Sequence, residues 1–291
     1  MSDNNSLPSP RPGSYAVVTG ASSGIGQAIA LELGRRGHDL ILVARTVPPM
    51  SFIAEQLPER DVKIRSVDLA NAAARGEFLT ELRDTTVHMI VNSAGIATFG
   101  KFHQLPYDFE RSQFELNATA LFELTAAVLP GMVERREGGI VNVGSVAGNM
   151  VIPNNATYVG TKAMVNLYTE SLHYELLGTG VKCTLLAPGP VREARKEEEK
   201  RTGIDRVTPD FIWTTYEDCA VDTLNALAAN KVRVVPGPLS KLMNVFGLYV
   251  PHRLSAPLMG KLYGKMAAEV AGQQAQKSAQ ARQSGSEGMS S

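Results

Sequence analysis

In the stretch "NNATYVGTKAM", residues 154–164, Tyr158 precedes Lys162 by four positions. On a helix, residues at i and i+4 share a face, so this spacing sets an ammonium beside a phenol. The lysine charge favours the phenolate and lowers a tyrosine pKa that is ordinarily about 10. A tyrosine tuned in this way moves a proton near neutral pH. The same spacing also arises where a lysine stem snorkels past a half-buried tyrosine. The pair therefore acquires meaning only from the elements around it.

The first apolar run, "YAVVT" (15–19), leads directly into "TGASSGIGQAIALELGRRG". Gly20, Gly24 and Gly26 fall between a strand and an amphipathic helix, where a dinucleotide pyrophosphate meets backbone N–H groups and the helix N-terminus. Glycines let the backbone turn tightly and approach phosphates. The spacing is G-x-x-x-G-x-G rather than G-x-G-x-x-G, and the alternative reading is a plain strand-to-helix turn. The second strand ends "LVARTVPP", with Arg45 where an NAD binder carries an acidic residue for the ribose 2′-OH. An arginine instead pairs with a 2′-phosphate, so the expected cofactor is NADP(H). Asp68, in "SVDLA" after the third strand, is placed either to accept from an adenine amino group or to cap the next helix.

To hold these pieces together the chain must alternate strands and helices. Apolar runs at 15–19, 40–44, 62–67, 89–93, 140–145, 181–187 and 232–236 read as strands. Helical patterns fill the gaps at Ile25–Arg36, Ala72–Arg83, Phe109–Glu134, Thr157–Leu177 and Tyr216–Ala229. This order predicts a parallel sheet covered by helices on both faces. Residues 1–13, rich in Pro, Ser and Asn, and 269–291, rich in Gln, Ser, Ala and Gly, are expected to be disordered tails.

Composition removes several function classes. Lys plus Arg and Asp plus Glu each total 29, so net charge gives no case for nucleic-acid binding. The only cysteines, Cys183 and Cys219, form no metal-ligand cluster, and a cytoplasmic setting is expected. The polar N-terminus has no apolar h-region, and no uninterrupted apolar run reaches the ~18 residues of a membrane span. His103 and His173 lack a second ligand at metal-like spacing and read as structural or surface residues.

Taken together, "TGASSGIG" (19–26), "DL" (68–69), "NSAG" (92–95), Asn117 in "LNATA", Ser145 in "VGSVAG", "YVGTK" (158–162) and "APGPV" (187–191) resemble the short-chain dehydrogenase/reductases over about Ser14–Pro236. The resemblance implies a doubly wound Rossmann domain, over residues 14–237, with a seven-stranded parallel sheet. It implies that Tyr158 exchanges a proton with a substrate carbonyl or alcohol and that Ser145 hydrogen-bonds the same oxygen. Lys162 would tune the tyrosine and hold the nicotinamide ribose, and Asn117 would order a water that refills the proton. Asn92 and Gly95 would border the cofactor, with Ser22, Ser23, Ile25, Ala94 and Val191 also at its site. Pro188 and Gly189 would pass beside the nicotinamide. One departure stands out: after "PGPV" the family has a threonine for the carboxamide, and this chain has Arg192-Glu193.

The substrate side is less determined. The segment after the sixth strand opens "REARKEEEKR", nine charges in ten residues, and reads as a solvated lid helix; the "FIW" at 211–213 lines the cleft or packs on the core. Residues 238–268 are expected to form an amphipathic helical extension. Within 238–266 they carry Lys241, Arg253, Lys261 and Lys265 and no carboxylate. Such a segment suits an anionic membrane surface, a cover for a greasy channel, or a flap on the domain or a partner subunit. Its "WTTYEDCAVDTLNALAANKVRVVPGPLSKLMN" (213–244) is similar to the mycolate-precursor reductases of actinobacteria. The sequence thus points to an NADPH-dependent reductase of a 3-oxoacyl group on a long-chain lipid, in a homo-oligomer at or near the inner face of the membrane. The alternatives are a hydroxysteroid or small-alcohol dehydrogenase, or a catalytically silent NADP(H)-binding regulatory protein.

Overall fold

The structure, a computed structural model, describes residues 6–192, 214–261 and 263–264. Seven strands form one parallel sheet: β1 (Tyr15–Thr19), β2 (Leu40–Ala44), β3 (Val62–Ser66), β4 (Val87–Asn92), β5 (Gly138–Val143), β6 (Val181–Leu186) and β9 (Arg233–Val234). Their order is β3-β2-β1-β4-β5-β6-β9, a Rossmann-type arrangement. Val18 pairs with Leu42 on one side and Val91 on the other, an apolar row on one face, and Val17 with Ile41 and Ile90 makes the matching row on the other face. Successive side chains point to opposite faces, and both faces are filled. Ala16 and Val18 pack under α1 (Gly24–Arg35), α2 (Val47–Glu55) and α7 (Tyr216–Ala228). Tyr15 and Val17 pack under α3 (Ala72–Arg83), α5 (Ala120–Arg135) and α6 (Ala156–Glu175).

The helix α2 is an addition to the sequence reading. Its two prolines, Pro48 and Pro49, occupy the first turn, where a backbone N–H has no helical partner to lose. The single helix expected over Phe109–Glu134 is α4 (Tyr107–Phe114) and α5 joined by a π-helical turn, Glu115–Thr119, which carries Asn117. That 29-residue run is long and apolar enough to cross a membrane, yet Leu121, Leu124, Val128 and Met132 are buried inside the protein. A separate two-stranded parallel pair joins β7 (Val191–Arg192) to β8 (Thr214–Thr215). The expected lid and "FIW" lie between these strands, outside the described residues, as does Glu193.

Residues 6–13 depart from the disorder expected over 1–13. They lie on the domain: Pro8 is buried, Leu7 packs against the α1 side of the core, and Arg11 pairs with Glu137. Ser9 N also donates to Glu137 Oε1 (3.1 Å) and Lys182 Nζ to Ser6 O (2.9 Å), so apolar contacts, an ion pair and hydrogen bonds together hold a segment whose polar composition suggested disorder. At the other end, α8 (Pro238–Tyr249) and a helix over 252–261 cover the 3₁₀ turn Val146–Asn149 and the loop after it. Lys265 and residues 269–291 fall outside the described residues.

Candidate active site

The carboxyl ends of β1 and β4, neighbours in space but not in sequence, create a crevice of the kind that binds ligands in open α/β sheets. A cavity of about 530 Å³ opens there, lined by Gly20, Ser22, Ser23, Ile25 and Gly26 on one side. Arg45, Asp68, Ala94 and Gly95 line it on the other, with Tyr158 and Val191 at its end. The glycine loop is built for close approach. Gly20 sits at φ 66°, and a Cβ on it would come within 2.9 Å of the Ala94 backbone. A Cβ on Gly26 would overlap the Gly20 carbonyl oxygen. Gly24 faces Tyr216 at the start of α7. Thr19 fixes the opposite wall, its hydroxyl accepting from Ser93 N (3.0 Å) and Ala94 N (3.1 Å).

Arg45 is exposed at the mouth of this cavity, just past β2. Asp68 lines the cavity and accepts from Ala70 N at 3.1 Å in the turn before α3; the helix itself is capped by Asn71, which accepts from Ala73 N and Ala74 N, so of the two roles expected of Asp68 the cap falls to another residue. These donors, glycines and charges fit a dinucleotide: backbone N–H groups at the start of α1 for the pyrophosphate, a carboxylate for the adenine side, and a cation beside the ribose.

Four residues converge where the cavity ends. Ser145, at the end of β5, is buried and its hydroxyl donates to Pro188 O at 3.3 Å. It also hydrogen-bonds the Tyr158 phenol. Lys162 lies one turn along α6, its Nζ donating to Val143 O at 2.7 Å and lying 5.8 Å from the Tyr158 ring centre. Asn117 spends its side-chain amide on Ile96, accepting from N and donating to O, each at 2.9 Å. A Cβ on Gly95 would stand 3.2 Å from Asn117 Oδ1 and 3.6 Å from Lys162 Nζ, so Gly95 leaves the space that lets the two approach.

The electrostatics correct one expectation. Burial raises the Tyr158 pKa above its ordinary value, and only the hydrogen bond from Ser145 pulls it back. Burial also lowers Lys162, to about 8. The lysine head is turned to a backbone carbonyl on β5 instead of the phenol oxygen, so desolvation outweighs its pull on the tyrosine. Tyr158 therefore keeps its proton at neutral pH.

Asn92 is the second correction. Expected beside the cofactor, it is buried in the helix–sheet interface, donating to Thr125 Oγ1 (3.0 Å) and Asn142 Oδ1 (2.9 Å). It fixes the strand from which Ser93 to Gly95 emerge. Pro188 and Gly189 lie on the Ser145 side: Pro188 O accepts from Ser145, and Gly189 N donates to Ser240 Oγ at 3.0 Å.

A second, smaller cavity of about 190 Å³ adjoins Ser145 and Tyr158. Phe99, Met243 and Tyr263 form its outer wall, and the Phe99 and Tyr263 rings lie 6.2 Å apart. None of these three was singled out in the sequence. Phe99 had a signal available, since it follows "NSAG" at the carboxyl edge of β4. Met243 and Tyr263 had none, because nothing local says that the C-terminal helices return to Tyr158.

Comparison with known proteins agrees with this geometry. The family model for short chain dehydrogenases matches residues 14–203. The chain belongs to the short-chain dehydrogenases. An oxidoreductase of Staphylococcus aureus strain USA300 is 34% identical over 199 residues, 68% of this chain and 86% of that one. A short-chain dehydrogenase from Sphingobium yanoikuyae, solved in complex with NADPH, is 32% identical, with a TM-score of 0.68 over 77% of this chain and 87% of its own. The bulky-bulky ketone specific alcohol dehydrogenase from Comamonas testosteroni is 29% identical, with a TM-score of 0.67 over 79% and 86%. This short-chain dehydrogenase is thus an oxidoreductase with the fold of NADPH-bound relatives.

Proposed function

We propose that this short-chain dehydrogenase is an NADPH-dependent carbonyl reductase of a 3-oxoacyl group on a long-chain lipid, with mycolate precursors inside that class. The observation that carries the reading is the apolar wall beside Ser145 and Tyr158, made by Phe99 and by Met243 and Tyr263 of the C-terminal helices. At about 190 Å³ this cavity is smaller than the ~300–1,000 Å³ that engulfs a drug-sized ligand. It suits the reacting end of a molecule whose tail leaves along the surface.

Gly20, Ser22, Ser23, Ile25 and Gly26 hold the cofactor's phosphates, Arg45 its 2′-phosphate, Asp68 its adenine, and Ala94, Gly95 and Val191 its nicotinamide half. When bound, NADPH supplies the hydride. Ser145 and Tyr158 both donate to the substrate carbonyl oxygen, stabilising the charge that develops there. Tyr158 then gives that oxygen its proton, and the raised phenol pKa keeps the proton available at neutral pH. Lys162 holds the ribose hydroxyls and replaces the proton through solvent, while Asn117 pins the loop at Ile96.

A second reading, a dehydrogenase of a hydroxysteroid or another bulky alcohol, draws on the bulky-ketone specificity of the Comamonas relative. The exposed Phe114, Phe122, Leu167 and Tyr174, on α4 to α6, support a homo-oligomer built on that face. The two buried free cysteines suit a cytoplasmic setting. The deciding experiment follows NADPH oxidation by the full chain with long-chain 3-oxoacyl thioesters, a short β-keto ester and a keto steroid. A kcat/KM at least about tenfold higher for the long thioester is expected, since burying two methylenes supplies that much. Preference for the steroid would install the second reading. No turnover of any carbonyl, with NADPH still bound, would make the protein a silent NADP(H)-binding regulator.

A further inference from the structure

The two C-terminal helices have an inner side and an outer side of opposite chemistry. On the inner side, a Cβ on Gly247 would stand 2.7 Å from Met150 Cγ, and one on Gly260 would stand 3.3 Å from Pro153 Cγ. Met259 is buried with Met150 and Ile152. Asn244 Oδ1 accepts from Asn149 at 2.8 Å and from Arg233 at 3.1 Å. Both helices therefore lie flat on the same stretch, 146–153, and turn their remaining surface away from it.

That outer surface is greasy and cationic. Leu242, Tyr249, Leu254 and Leu258 are 67%, 78%, 66% and 60% exposed, with Val245 and Leu248 half exposed beside them. On α8, positions 241, 242, 245, 248 and 249 fall within one ~120° arc at 100° per residue, and 253, 254, 257, 258 and 261 fall within one of ~140° on the next helix. Lys241, Arg253 and Lys261 stand in these arcs and are exposed. Residues 237–264 contain no carboxylate, although the chain as a whole balances 29 cations against 29 anions. A surface protein seldom shows a contiguous apolar face of this kind without a partner. The local charge selects which partner: lysine and arginine stems snorkel over an apolar surface and place their heads among anionic headgroups.

We propose that this face docks on an anionic lipid bilayer, with the two helices lying in the plane of the interface. The same helices supply Met243 and Tyr263 to the wall of the cavity beside Tyr158, so a docked enzyme has its reacting-end cavity next to the bilayer. A lipid carbonyl then reaches Tyr158 without crossing water. The delivery role rests on the lipid-reductase reading; the docking itself does not.

The test is cosedimentation of the full chain with vesicles of phosphatidylcholine, alone or with a third of phosphatidylglycerol, at low and high salt. Wild type should pellet with the anionic vesicles and be released as salt screens the attraction. K241E/R253E/K261E should weaken partition by about a hundredfold or more, since each cation near an anionic surface contributes about a fivefold factor. L242E/L254E/L258E should abolish it. Both variants should keep wild-type kcat/KM on a short soluble ketone and the wild-type sedimentation coefficient, because every altered side chain points outward. Failure of wild type to pellet, or wild-type pelleting by the charge-reversed variant, overturns the proposal. So does dissociation of an oligomer in either variant, which would make the face a contact between copies, or lost activity on the short ketone, which would make it part of the site. Vesicle binding without turnover of any lipid carbonyl would leave the docking surface standing and remove only the substrate assignment.

Discussion

At the far end of the sheet from the catalytic crevice, His38 and His88 form a buried pair, Nδ1 of His38 lying 2.9 Å from Nε2 of His88 with the rings stacked. One ring donates and the other accepts, which two neutral imidazoles satisfy. Burial lowers His38 from 6.5 to about 4, helped by Arg36 and opposed by Asp39. Burial lowers His88 to about 3, helped by its partner histidine, Arg135 and Arg11. Both folded values lie below the unfolded value, so the unfolded chain binds more protons between them. The stabilisation is full above about pH 6.5 and is lost as pH falls toward 4. Between pH 7 and pH 5 each histidine costs about 2 kcal/mol, at ~1.4 kcal/mol per pH unit below the unfolded value. The pair costs about 4 kcal/mol together, a large part of the ~5–15 kcal/mol that holds a domain folded. Urea unfolding followed by circular dichroism at the two pH values measures this directly. The H38N/H88Q protein keeps hydrogen-bonding amides but removes both titrations, so its loss over the same range should be about 4 kcal/mol smaller. A wild-type loss below about 1 kcal/mol, or equal losses in the two proteins, would refute the reasoning.

At the site, Tyr158→Phe should lower kcat by about 10²–10⁴-fold while NADPH binding, read by fluorescence titration, stays within a few-fold. A mutant that keeps a tenth of wild-type kcat would contradict the proton-donor role. Arg45→Asp should raise KM for NADPH by about 10-fold or more, the worth of a lost charged hydrogen bond, and lower KM for NADH; unchanged values for both would reduce Arg45 to a strand-end charge. The pH profile of kcat/KM for reduction should fall above about pH 8, where Lys162 loses its charge while Tyr158, raised by burial, still holds its proton. A flat profile to pH 10 would remove Lys162 from the mechanism. Gly26→Ala should cost about 1–3 kcal/mol of stability and most NADPH affinity, because its Cβ has only the Gly20 backbone to displace; a calorimetric titration matching wild type would show that the loop gives way.

What the sequence discloses depends on how local the cause is. The strands announce themselves through short apolar runs, and all seven appear within a few residues of the expected places. The four residues that converge at the end of the cavity are likewise visible, because each is fixed by an element it sits on: Ser145 at a strand end, Tyr158 and Lys162 on one helix face, Asn117 in a helix that turns out to carry a π-helical turn. Two failures have a common cause. Asn92 was misplaced because "NSAG" tells which residues leave β4 but not which side chain faces the crevice and which faces Thr125. The Tyr158 pKa was misjudged in direction because spacing brings Lys162 near but does not state the burial of either group, and here burial dominates.

The C-terminal segment shows the same limit at a larger scale. Its composition announced an amphipathic, basic extension, a statement compatible with a flap that could be cut away without touching the chemistry. The structure ties it to the chemistry at three points. Ser240 accepts from Gly189 N, and a Cβ on Gly189 would stand 2.7 Å from that hydroxyl, so the first turn of α8 sets the path of the loop after β6. Met243, one turn on, forms cavity wall. Tyr263 then brings a half-buried phenol to the cavity beside Tyr158, its pKa raised by burial and by the charge Tyr158 would carry. A negative charge arriving on Tyr158 is opposed by desolvation. The segment that carries the outward apolar face therefore also walls the cavity beside Ser145 and Tyr158. Surface and site are the two sides of the same helices.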